Sequence, residues 1–213
     1  MTDFITIKRP EILHIRDPLT AVEYYGANQL WYDDNWKKRA GCGPTACAHI
    51  MWYLSQTVPE AYALCSYNGY ERPGFLKLMD DVWEYVTPTT RGVNKTEIFI
   101  NGAVSYGRDK GFPLACESLE IGAFSCKKQR FEQVREFILN ALRKDVPVGF
   151  LNLSNGEVKN LDNWHWVTLV GMEKNGPMAL MYDQCNQSVI DMRLWCTTTL
   201  LGGGLVSVMP FGR

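Results

Sequence analysis

Apolar residues follow a helical spacing in the first half of the chain and break into short runs in the second. After Gly41-Cys42-Gly43-Pro44, the positions Ala46, Ile50 and Tyr53/Leu54 recur along one face, which predicts a helix over 45–54. Pro44 fits its first turn, where the missing N–H costs nothing. Further helices are predicted over 74–85, ended before Thr87-Pro88, and over 95–110, ended by Gly111. The loose alternation of Leu114–Ile121 then predicts a strand, and the stripe Phe131, Val134, Ile138 and Leu142 a helix over 131–144. Beyond it, VPVGFLNL, WHWVTLVGM, MALMYDQ and LVSVMPF are short apolar runs separated by Gly, Asn and Pro. They read as strands of a largely antiparallel sheet. Gly202-Gly203-Gly204 reads as a turn between the late strands. The expected class is α+β, a helical N-terminal half packed against a mainly antiparallel C-terminal sheet, with residues 1–213 forming one domain. A cleft between two such halves is a natural place for a site.

Composition narrows the function classes. Hydrophobic residues make up 46%, charged ones 21%, and the net charge is −1. Nucleic acid is therefore not an expected partner, because its recognition relies on clustered Lys and Arg. No segment approaches the roughly 20 apolar residues that span a bilayer, so a membrane partner is not expected either. The start, MTDFITIKRPEI, lacks the apolar core of a secretory signal. Seven cysteines without a compact framework suit a reducing compartment, and a cytoplasmic protein is expected. With no C-x-x-C pair and with His14, His49 and His165 scattered, no metal site is predicted. The glycine triplet lacks the Lys-Ser/Thr ending of a phosphate-binding loop, so no cofactor is predicted.

What remains is thiol chemistry. Cys42 lies where a glycine-flanked loop enters a helix, and the dipole there favours negative charge on a sulfur. Gly41 and Gly43 are expected to let the backbone turn tightly beside it. Cys47 is five residues on, about 140° around the helix, and is expected to pack in the core. His165, flanked by Trp164 and Trp166 at the start of an apolar run, is the candidate base. His49 lies two turns along the Cys42 helix, too far to reach the sulfur. Asp183 ends the run MALMYDQ, at hairpin spacing from His165 across a Gly176-Pro177 turn, so the two could meet across neighbouring strands. Asn186 is the alternative partner. An oxyanion needs a second donor beside the Cys42 backbone N–H, and YYGANQLWYDDNW offers Asn28, Gln29 and Asn35.

On these residues the chain resembles the papain-like cysteine peptidases, and among them the bacterial peptidase C39-like group. GCGPTACAHIMWYL resembles the nucleophile helix, HWVTLVG the strand bearing the base, MYDQ the segment of the orienting acid, and YYGANQLW the segment bearing the glutamine. Papain relatives carry their His and Asn roughly 130 to 150 residues after the cysteine. Here His165 comes 123 residues after Cys42 and Asp183 comes 141 after it. The resemblance implies a papain-like fold and a Cys42-His165-Asp183 triad with Gln29 at the oxyanion. It implies hydrolysis of peptide or amide bonds in a peptide or protein substrate. Two departures stand out. The cysteine context is GCGPT rather than CGSCW, and Gln29 lies 13 residues before Cys42, which requires an excursion between them or else hands the role to Asn35. The same chemistry could pass the acyl group to an amine, as in an acyltransferase or transglutaminase. A non-catalytic module could instead grip a peptide between Trp31, Trp36, Trp164 and Trp166.

Overall fold

The structure is a computed structural model and describes residues 3–122 and 127–212. It begins with β1 (Phe4–Thr6) and a small hairpin, β2 (His14–Arg16) with β3 (Glu23–Tyr25), then a 3-10 turn, Gln29–Trp31. Four helices follow: α1 (Asn35–Ala40), α2 (Cys42–Thr57), α3 (Arg72–Trp83) and α4 (Thr96–Asp109). The rest runs β4 (Leu114–Ile121), α5 (Lys127–Arg143), β5 (Val148–Asn152), β6 (His165–Glu173), β7 (Met178–Asp183), β8 (Asn186–Asp191), α6 (Met192–Thr198) and β9 (Gly203–Pro210). The class is α+β with a mainly antiparallel sheet, as the hydrophobic pattern predicts.

The sheet order is β4-β9-β5-β6-β7-β8, and β1 adds alongside the far end of β6. Helices cover both faces. Trp166 of β6 stacks on Phe99 of α4, and Thr168 meets His49 of α2, so α2 and α4 share one face. Phe150 of β5 packs edge-on against Trp195 of α6 on the other. The helix predicted over 45–54 is longer at both ends. It is buried on every side from Cys42 to Ser55, as a helix wrapped by the sheet, α3 and α4 must be.

Three expectations need adjustment. The helix expected over 74–85 begins at Arg72, because Pro73 is accommodated in its first turn, and ends at Trp83. Gly203 and Gly204 are not a turn but the start of β9, paired on one side with Ile121 and Glu120 and on the other with Asn152 and Leu151. Only Gly202, at φ 72°, makes the turn. The N-terminal half is also less purely helical than its pattern suggests. Residues 4–6 join the C-terminal sheet, and such a short strand carries too few positions to show a period.

Candidate active site

Cys42 is the first residue of α2, so its sulfur sits at the positive end of a long buried helix. It is 8% exposed. Neither flanking glycine has a positive φ. Gly41 has φ −84°, and Gly43 lies within the helix. Both answer to close packing instead. A Cβ on Gly41 would sit 2.5 Å from the Lys37 carbonyl, and one on Gly43 2.8 Å from Val93 Cβ. Cys47 points into the core at 0% exposure, and burial pushes its thiol well above the ordinary value.

His165 opens β6 and Asp183 closes β7, two strands paired antiparallel with Thr168 opposite Tyr182. The hairpin brings the side chains together. His165 Nε2 lies 2.8 Å from Asp183 Oδ1, and His165 is 7% exposed. Burial opposes its charged form, but the hydrogen bond to Asp183, the nearness of Cys42 and the carboxylate's charge outweigh it. The net effect raises its pKa to about 10. With Nε2 committed to Asp183, Nδ1 is the ring nitrogen left for the sulfur. Asn186 turns elsewhere, its amide donating to the Gln184 carbonyl at 2.9 Å.

Gln29 lines the narrow cavity that also holds Cys42 and His165; Asn35 does not. The 13-residue separation between Gln29 and Cys42 is filled by α1, capped by Asp34, whose carboxylate accepts from the Trp36 and Lys37 N–H groups. Gln29 Nε2 donates to the Lys38 carbonyl at 2.7 Å, tying the segment back to α1 just before the cysteine. That amide still has a second N–H. Asn28 caps the 3-10 turn, its Oδ1 accepting from the Leu30 N–H.

His49 lines the same cavity but does different work. Its Nε2 accepts from the Ala27 N–H at 2.7 Å, which places its proton on Nδ1, 2.8 Å from Thr168 Oγ1. Burial pushes its pKa down to about 3. It is a neutral strut between the Gln29 segment and β6. Nothing in the sequence signals this, since the two partners lie 22 and 119 residues away. The site's other unforeseen members, Arg39 and Arg91, come to it from α1 and from the loop before α4.

No protein-family model matches the chain, and no curated protein matches it. Among solved structures, the crystal structure of the Pseudomonas avirulence protein AvrPphB is similar over 83% of this chain and 95% of that one. Its sequence identity is 12% and the TM-score 0.40. So loose a likeness carries no argument, and the functional reading rests on this chain's own residues. No helix among the described residues is long and apolar enough to cross a membrane.

Proposed function

We propose that the protein is a thiol hydrolase of papain-like fold, a cysteine peptidase of the C39-like kind that cleaves peptide or amide bonds. One observation carries the reading. A buried histidine 2.8 Å from a carboxylate lines one narrow cavity with a cysteine at the start of a helix, and the carboxylate favours the protonated imidazole. A protonated imidazole beside a sulfur is the arrangement that sustains a thiolate nucleophile.

In this reading the Cys42 thiolate attacks the carbonyl carbon of the scissile bond. The resulting oxyanion sits between the Cys42 backbone N–H and the free N–H of Gln29. His165 Nδ1 gives its proton to the leaving amine, and the C–N bond breaks to leave a thioester on Cys42. Nδ1 then takes a proton from the attacking water. The thioester collapses to a carboxylic acid product and the regenerated thiolate. Asp183 accepts from Nε2–H throughout, fixing the tautomer and stabilising the imidazolium. Peptide or protein is the substrate class, with no cofactor required for any step.

Labelling with a peptidyl electrophile, followed by mapping of the modified cysteine, tests this directly. Cys42 is expected to take the label ahead of every other cysteine. A label on Cys47, or none at all, removes the reading and leaves a binding module. Products formed with and without an added amine then tell hydrolysis, which yields the free acid, from acyl transfer, which yields the amide.

A further inference from the structure

Cys42 lies between two cavities of different character. The one of about 410 Å³ is edged by amides and a carboxylate, Asn28, Gln29, Asn163, Gln184 and Asp162, and shares Arg39 with its neighbour. The other, of about 200 Å³, holds Arg39, Arg91, Trp36 and Trp164 over an apolar floor that includes Val93 and Leu151. No residue lining it is acidic. Resting on the thiol-hydrolase reading, we propose that this second cavity is a substrate subsite that takes an acidic side chain close to the bond Cys42 attacks.

Three observations support it. The first is charge that no direct ion pair answers. Arg9, Arg72 and Arg108 each pair with a carboxylate, at 3.4, 2.9 and 3.3 Å. Among the described residues, no carboxylate lies within ion-pair distance of either Arg39 or Arg91. The nearest acidic group along the chain from Arg39, Asp34, feels its charge only beyond ion-pair distance and is held at 2.8 and 2.9 Å by the N–H groups of Trp36 and Lys37.

The second is rigidity. Arg91 rides on a tight turn closed by reciprocal backbone hydrogen bonds between Thr89 and Gly92, at 3.1 and 2.9 Å. Its own N–H donates to Thr89 Oγ1 at 3.2 Å. The residue after that turn, Val93, packs against Gly43 of the nucleophile helix, and its carbonyl accepts from Trp166 Nε1 at 2.6 Å. The turn is thus braced against both halves of the site. Arg39 stands three residues before Cys42 on α1.

The third is Trp164, which precedes the base. It holds φ 54°, an unusual conformation for a bulky side chain, and is 49% exposed. Strain of this kind gathers where a fold holds a group for a purpose. Trp164 lines both cavities, and Trp36, 40% exposed, lines the basic one with it. Together they offer apolar surface for the stem of a side chain whose carboxylate reaches the guanidinium groups.

The test is a positional set of fluorescent peptides carrying Glu, Gln or Lys at one position at a time. Their equilibrium binding is measured on the Cys42→Ala variant, and the matching electrophilic peptides are used on the intact protein. At one position Glu is expected to bind more tightly than Lys by about tenfold, an effect weakened by salt. The double variant R39E/R91E, altered only at exposed positions, should invert that order. Electrophiles that label Cys42 equally well with Glu or Lys at every position would overturn the subsite while the hydrolase reading stands. A Glu preference in binding without any label on Cys42 would uphold the subsite and remove the hydrolase reading. A Glu preference unchanged in R39E/R91E, or no binding of any peptide, also overturns the proposal.

Discussion

His165 and His49 border one narrow cavity, both nearly inaccessible to solvent, and the fold drives them in opposite directions. His49 meets only neutral partners, a backbone N–H and a threonine hydroxyl, so burial alone decides and its pKa falls to about 3. His165 suffers the same burial, but a carboxylate and a cysteine answer it, and its pKa rises to about 10. Burial therefore does not choose a histidine's charge; its partners do. One ring is a strut and the other holds a proton.

The largest expected effect separates them most sharply. His165→Ala or Cys42→Ala should lower kcat/KM by about ten-thousandfold or more, because groups acting as one unit fail together. His49→Gln should stay within about tenfold of the parent, since one amide can accept from the Ala27 N–H and donate to Thr168. Steady-state kinetics on folded variants measure both. A His49→Gln enzyme as inactive as His165→Ala would erase the contrast.

Asp183→Asn comes next. It keeps the shape of the site but removes the charge that holds His165 protonated and in the right tautomer, and kcat should fall by about a hundredfold to ten-thousandfold. Gln29→Ala removes one proposed oxyanion donor and should lower kcat by about a hundredfold with KM little changed. If Asn35→Ala matches that loss and Gln29→Ala does not, the oxyanion assignment moves to Asn35.

Stability against pH sharpens the comparison without any substrate. The folded state raises His165 above its unfolded value of about 6.5. Its contribution is complete below that value and is lost as pH climbs from there through about 10. His49 is lowered, so the unfolded chain binds its proton first. Its contribution is complete above about 6.5 and is lost as pH falls towards about 3. Urea unfolding across pH should show His165→Gln flattening only the alkaline limb and His49→Gln only the acid limb. The smallest effect is expected at Cys47→Ala, about 1 to 2 kcal/mol of stability for a small buried side chain, with kinetics unchanged.

Much of the fold and of the candidate site was legible in local pattern. Helical spacing located α2, α4 and α5 closely, and alternation located β4. Cys42 showed itself through its place before a helix, and Cys47 through its phase on that helix. The spacing of His165 from Asp183 anticipated the β6–β7 hairpin. Other features left no local trace. Gly202-Gly203-Gly204 looks like a turn by composition, yet two of the three glycines pair within the sheet between β4 and β5.

The sequence by itself determined most of the longer helices and strands, and which residues have the chemistry and the terminal positions to act. That information is local, carried by spacing, turns and caps. Only the tertiary structure decided which of these groups meet. It placed Gln29, and not Asn35, on the cavity that Cys42 lines, by folding the excursion into α1, and it brought Arg91 to the cavity that Arg39 and Cys42 also line. It also left one buried histidine neutral and the other protonated. Those outcomes depend on contacts between residues far apart in the chain, where burial and partners, not neighbours in sequence, set the energies.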